Sequence, residues 1–234
     1  MSSAESAGVA VARTRVKYCG IVDARDARDA AALGVDALGL VFYPRSPRAL
    51  DLAHAAGIRR SLPSYVAAVG LFVDATPDEV RRTAGAVGLD VLQFHGSESA
   101  ERCEASTPAG ARWWRAVRMR SKLDLLESFV CFERAEALLL DSFSPAYGGS
   151  GTVFDWSLIP ADRPRPIVLS GGLSPDNVAD AIRQVRPDGV DVSSGIQDDA
   201  ADGTPRGNPR RKSLQRMERF MAEVLRADAA RNLR

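Results

Sequence analysis

The chain predicts a single-domain α/β fold, a (β/α)8 TIM barrel. Three observations carry this: eight short apolar runs rich in Val, Leu and Phe, helical stretches between them, and starts that recur about every 25 residues. That interval is the length of one strand, one helix and two short loops. The 234 residues suit one barrel of this kind. An open doubly wound sheet is the alternative that the same alternation allows.

A polar opening is read as a flexible extension over residues 1–14, ahead of a barrel domain at 15–230. The predicted strands are Val16–Ile21, Ala37–Tyr43, Ala67–Val73, Val91–His95, Arg112–Val117, Ala137–Asp141, Pro166–Ser170 and Gly189–Ser193. Between them, Thr76-Pro77-Asp78-Glu79 combines a cap, a first-turn proline and two acids. Ser174-Pro175-Asp176-Asn177 has the same logic and predicts a second capped helix. After Asp141 a long Gly-rich loop, Phe143 to Gly151, takes the place of a helix, and loops of that length in compact domains are usually functional. The stretch from Gln197 to Arg211, with Gly203, Pro205, Gly207 and Pro209, is read as mobile, leading into a last amphipathic helix over Lys212–Arg226.

With 45% apolar and 26% charged residues and a formal net charge of +1, the composition is that of an ordinary folded protein. It supplies no argument for nucleic acid or an anionic membrane as an obligatory partner. No window approaches the roughly 18–20 apolar residues of a membrane helix, and the first residues lack the apolar stretch of a secretory signal. A cytoplasmic location follows as the expectation. Cys19, Cys103 and Cys131 are odd in number and widely spaced, which points to neither a disulfide framework nor a zinc site. Cys103 and Cys131 are read as plain, semi-buried thiols.

Cys19 closes the run Val16-Lys17-Tyr18-Cys19, and Asp141 closes Leu138-Leu139-Leu140-Asp141. In a parallel barrel both would reach the same mouth. A thiol facing a carboxylic acid across a phosphate pocket is a base and an acid for proton transfer on a sugar phosphate. The bland readings are a buried strand thiol and a loop-capping Asp. Lys17 shares a strand face with Cys19 and could favour its thiolate. Asp141, among apolar residues, could stay protonated and donate. Ser170-Gly171-Gly172 and Ser193-Ser194-Gly195 follow the seventh and eighth strands, where barrels commonly hold a phosphate on backbone N–H groups. Tyr43-Pro44-Arg45-Ser46-Pro47-Arg48 offers a guanidinium for a carboxylate, with Arg45 read as solvated. His95 and Asp191 also lie near strand ends, where substrate contact and orientation of neighbouring groups are both open.

These segments, taken in order, resemble the phosphoribosylanthranilate isomerase family of tryptophan biosynthesis. Val16–Ile21, Gly39–Arg48, Gln93-Phe94-His95-Gly96 and Leu140-Asp141-Ser142 carry the likeness. So do Gly148–Gly151 with Phe154-Asp155-Trp156, Leu169–Leu173, and Asp191–Gly195. The resemblance implies an Amadori rearrangement of N-(5-phosphoribosyl)anthranilate to 1-(2-carboxyphenylamino)-1-deoxyribulose 5-phosphate, with no cofactor and no metal. By it Asp141 is the general acid and Cys19 the base, Arg48 takes the anthranilate carboxylate, and Gly172, Ser194 and Gly195 take the phosphate; His95 and Asp191 complete the substrate site. It implies a phosphorylated small molecule as partner, with no nucleic acid or membrane, and other tryptophan-pathway enzymes as candidate neighbours. The sequence departs from the family pattern at Thr152, at Gln197 and over Pro205–Lys212. The histidine-pathway isomerase barrel, which works with two aspartates, is the rival that Cys19 disfavours; a barrel that only binds is the other.

Overall fold

A computed structural model describes residues 13–142, 153–201, 203–204 and 207–232. Eight parallel strands close in chain order: β1 (Arg15–Cys19), β2 (Ala37–Val41), β3 (Ala67–Phe72), β4 (Val91–Phe94), β5 (Arg112–Met119), β6 (Ala137–Ser142), β7 (Ile167–Leu169) and β8 (Gly189–Val192). Pairing of β1 with both β2 and β8 closes the barrel and excludes the open sheet. All eight predicted strands are present, each within a few residues of its expected ends.

Strand alternation sorts the side chains. Tyr18, Leu38, Leu40, Phe72, Phe94, Leu138 and Leu140 join the main core, which is completed by helix residues such as Ala27, Ile58, Val80, Leu125, Ile182 and Phe220. A small separate cluster of Ala37, Val69 and Val91, and another of Ala116, Ala137, Leu139 and Val168, contain the residues of the opposite faces. Two residues further along the same faces come Gly39, Gln93, Asp141 and Ser170. The barrel interior therefore passes from apolar packing to polar chemistry along the strand direction.

The helices are α1 (Ala24–Ala32), α2 (Leu52–Arg60), α3 (Pro77–Val87), α4 (Ala100–Ser106), α5 (Lys122–Cys131), α6 (Val178–Val185) and α7 (Leu214–Asn232). At α3 the expected signals are all used: Thr76 and Glu79 form a reciprocal capping box, with Pro77 in the first turn. The second expected cap is corrected. Helix α6 starts only after Asn177, because Ser174 is held in a preceding turn, its N–H donating to Asn177 Oδ1 and its Oγ accepting from Asp176 N–H. Asn177 Nδ2 donates in turn to the Gly172 carbonyl, so the cap-like residues fasten the β7 loop instead of opening a helix.

After β6 the described residues form only a 3-10 turn, Trp156–Leu158; the predicted Gly-rich loop and Thr152 lie outside the described residues. The reading of Gln197–Arg211 as mobile is corrected in part: β9 (Gln197–Asp198) and β10 (Asn208–Lys212) pair as an antiparallel ribbon. A two-stranded ribbon is all edge, and so tolerates Pro209. Its ends are anchored, with the Lys212 N–H donating to Asp26 Oδ2 at 2.8 Å and Arg216 pairing with Asp199 at 2.9 Å. Helix α7 starts later and runs further than predicted, and its Asp228 accepts from both the N–H and the Oγ1 of Thr14 at 2.7 Å. Thr14 is thereby buried against the last helix. Cys103 is fully buried and Cys131 exposed at the end of α5, so neither is semi-buried as expected. No helix among the described residues is long and apolar enough to cross a membrane.

Candidate active site

Where the strands end, inward-facing side chains surround a cavity of about 760 Å3 counted to its open mouth. Seven of the eight residues singled out from sequence line it: Cys19, Arg48, His95, Asp141, Gly172, Asp191 and Ser194. Gly195 does not. Its Cα packs so closely on the Leu173 carbonyl that a Cβ there would lie 2.0 Å from that oxygen. Arg45 is exposed and outside the lining, as expected.

On one side of the mouth stands Cys19, only 6% exposed. The register pairs it with Gly39 of β2, and an added Cβ on Gly39 would sit 2.7 Å from the Cys19 sulfur and 3.1 Å from Lys17 Nζ. Glycine there makes the room that both groups occupy. Burial pushes the Cys19 thiol above its ordinary value, and the Lys17 ammonium pulls it back. Lys17 is itself paired, donating to Asp191 Oδ1 at 2.7 Å with both side chains buried. Burial alone would lower Lys17, yet Asp191, with help from Cys19, holds it above its usual value. The second Asp191 oxygen accepts from Ser170 Oγ at 3.1 Å, so this carboxylate spends both oxygens orienting its neighbours.

Arg48 lies across Gly20, the residue after Cys19. Gly20 has φ +73°, and a Cβ there would meet Arg48 Cδ at 2.3 Å and Ser193 Oγ at 3.2 Å. Burial lowers the Arg48 guanidinium from its ordinary value, while Cys19 opposes that shift. A further cation enters from a place the sequence did not suggest. Lys212, at the end of β10, is 4% exposed and donates from Nζ to the Ser193 carbonyl at 2.9 Å. Burial, with Arg48 close by, lowers it to about 7.

Across the mouth, Asp141 Oδ1 accepts the Ser142 N–H at 2.8 Å and packs against Gly171, where a Cβ would come within 2.9 Å of it. Its other oxygen lies 3.2 Å from His95 Nε2, at an angle that is not that of a hydrogen bond. Gln93, fully buried, places its Nε2 3.2 Å from His95 Nδ1. With the amide donating, Nδ1 is the acceptor and the ring proton sits on Nε2, toward Asp141. Gly171 and Gly172 have φ of +78° and +68°, which lets the β7 loop bend back over this wall. Sequence reasoning gave Gln93 and Ser170 no role of their own, although both lie in segments it singled out, and it passed over Lys212. The first two were in principle visible, since each lies on the inward face of a predicted strand.

Fold and mouth together define an enzyme of the (β/α)8 class whose single cavity is lined by a thiol and a carboxyl group from opposite strands. The profile of N-(5'-phosphoribosyl)anthranilate (PRA) isomerase matches residues 16–202. An N-(5'-phosphoribosyl)anthranilate isomerase of Leptothrix cholodnii is 52% identical over 186 residues, covering 80% of this chain and 83% of its own. One from Methylibium petroleiphilum is 46% identical over 217 residues, 93% of this chain and 96% of its own. The crystal structure of the phosphoribosyl anthranilate isomerase of Thermotoga maritima superposes with a TM-score of 0.81 at 38% identity, over 91% of this chain and 98% of that one. A phosphoribosyl anthranilate isomerase solved in complex with reduced 1-(o-carboxyphenylamino)-1-deoxyribulose 5-phosphate is 36% identical, with a TM-score of 0.78 over the same shares. The chain belongs to the N-(5'-phosphoribosyl)anthranilate isomerase family, enzymes of tryptophan biosynthesis.

Proposed function

We propose that this cavity rearranges N-(5-phosphoribosyl)anthranilate to 1-(2-carboxyphenylamino)-1-deoxyribulose 5-phosphate with Asp141 as acid and Cys19 as base. One observation carries the assignment: a thiol from β1 and a carboxyl group from β6 line a single cavity together with Arg48, Gly171 and Gly172 after β7, and Ser193 and Ser194 after β8. Asp141 gives its proton to the furanose ring oxygen, and the C1–O bond breaks to leave a Schiff base. The Cys19 thiolate then removes the C2 proton to give an enolamine, whose tautomerisation yields the ketone. Both groups act in the transition state, where proton transfer is worth roughly 10²–10⁴-fold.

Arg48 receives the anthranilate carboxylate in a charge-assisted pair. The backbone around Gly172 and Ser194, with Gly195 behind it, receives the phosphate. His95 holds Asp141, and Asp191 aligns Lys17 under Cys19. The isomerase domain spans 15–230, with 1–14 as an extension. A phosphorylated substrate carries charge that does not cross a bilayer unaided, which supports a cytoplasmic reaction among other tryptophan-pathway enzymes. The test is a fluorescence assay for consumption of phosphoribosylanthranilate by the purified full chain, with the histidine-pathway aminoimidazole substrate as control. Turnover of the first and loss of it in Cys19→Ser and Asp141→Asn are expected. Near-native turnover in either variant would remove that residue from the mechanism.

A further inference from the structure

Along β4 and the residue that follows it, Val91, Gln93 and His95 point inward in turn, from the apolar floor of the barrel up to the mouth. Gln93 is completely buried, and its Oε1 has no hydrogen-bond partner among the described residues. A methionine or leucine would fill much the same space without stranding a polar atom, so the amide calls for an explanation in what its other end does. That end is Nε2, 3.2 Å from His95 Nδ1. The next strand supports this orientation. Gln93 is in register with Trp114 of β5, an inward-facing indole whose buried Nε1 can only donate and has no partner among the described residues. Turned the other way, the amide would bring its own hydrogens to the layer that already holds this spare donor.

His95 is held from both sides. Its N–H donates to the Phe72 carbonyl at 2.9 Å, and its own carbonyl accepts from Arg118 Nη2 at 3.1 Å. With the main chain fixed and Nδ1 taken up by Gln93, the ring nitrogen left over is Nε2, which lies 3.2 Å from Asp141 Oδ2 without a hydrogen bond to it. All three side chains line the one cavity. While Asp141 carries its proton, an N–H pointed at it gains little. Once that proton has gone to the substrate, the same N–H meets a carboxylate, and a contact that is misaligned at rest tightens into a charge-assisted bond.

Resting on the reading of Asp141 as acid, we propose that Gln93 is a positioning residue that locks His95 in the tautomer protonated on Nε2, so that the imidazole donates to the carboxylate left when Asp141 has given up its proton. The Asp141 proton goes to the ring oxygen of the substrate, and His95 keeps its own throughout. The opposite neutral tautomer would turn a lone pair toward the new carboxylate and oppose the transfer. Because the bond gains its strength as charge develops on Asp141, it acts on kcat and not on the binding of substrate.

The chain has two histidines, and His54, exposed on α2, can be replaced in His54→Gln to leave His95 alone. The ¹⁵N spectrum of that full-length chain, labelled at both ring nitrogens and recorded at about pH 8, should show a bare Nδ1 and a protonated Nε2. A protonated Nδ1 overturns the proposal. Gln93→Met, added to this chain, keeps the bulk of the side chain and replaces the donor with a sulfur that accepts weakly. The bare Nδ1 signal should give way to a mixture of tautomers, and kcat for phosphoribosylanthranilate should fall about tenfold while KM stays within about twofold. An Nδ1 that stays bare, a kcat that stays native after the tautomer has shifted, or a loss confined to KM each overturns the proposal. Should Gln93→Met fail to fold, the spectrum of the single-histidine chain decides alone. Full turnover by Asp141→Asn would instead strike down the acid assignment itself, a failure that the His95 spectrum does not share.

Discussion

The two walls of the mouth are built on opposite plans. The Cys19 wall gathers charge: Lys17, Arg48, Lys212 and Asp191 all act on one sulfur that burial alone would keep protonated. The Asp141 wall holds His95, the Ser142 N–H and the Gln93 amide behind His95, and its one guanidinium, that of Asp141's register partner Arg118, donates to the His95 carbonyl at 3.1 Å. Cations beside a buried thiol offset the rise that burial imposes on it. The difference lies in the neighbours each strand end meets, not in the strands.

The comparison breaks most directly at the titrating groups. Cys19→Ala and Asp141→Ala should each lower kcat by roughly 10²–10⁴-fold while affinity for the reduced product changes little. Steady-state assays paired with calorimetry would show this, and equal losses in kcat and affinity would reduce either residue to a binding group.

Arg48→Ala should raise KM roughly 10- to 100-fold, the loss of a charge-assisted pair, with Arg45→Ala near native. Should Arg45 prove the costly one, the carboxylate site lies three residues away from where it is placed here.

The glycines sharpen the contrast between walls. Gly171→Ala forces a side chain to within 2.4 Å of the Ser142 backbone nitrogen at a φ of +78°, while Gly39→Ala meets the movable Cys19 sulfur at 2.7 Å. The first should cost about tenfold in kcat and the second less, since misplacing a fixed acid hurts more than nudging a rotatable thiol. The reverse order would mean that the base is the more tightly held of the two.

The smallest effect is on stability. Lys212 is lowered to about 7 in the native protein, against roughly 10.4 for an unfolded lysine. Between those values the unfolded chain binds more protons, so stability rises with pH across that window through this group. Lys212→Met removes this contribution and should be more stable relative to the native chain at pH 6.5 than at pH 9.5. Urea midpoints at both values check the sign.

How much was legible follows from where the information sits. The strands were readable because each is a short apolar run whose two faces are both buried, and Thr76–Glu79 because a capping box is complete within four residues. Cys19 and Asp141 were readable for the same local reason: a polar residue ending an apolar parallel strand has the barrel mouth as its destination. Ser174–Asn177 misled because the same residue types serve a turn as well as a cap, and the choice was made by the distant Gly172 carbonyl that Asn177 holds.

By itself, then, the sequence determined the barrel, the order of its strands and the placing of Cys19 and Asp141 at strand ends, because periodicity and strand termini are local properties of the chain. Only the tertiary structure decided what surrounds that pair. Lys212 sits in a polar, Pro- and Gly-containing stretch with no local mark of burial, and it is buried against the Ser193 carbonyl with its backbone tied to Asp26, 186 residues earlier. Charge state depends on the distances and burial of such remote partners, and those exist only once the chain has closed.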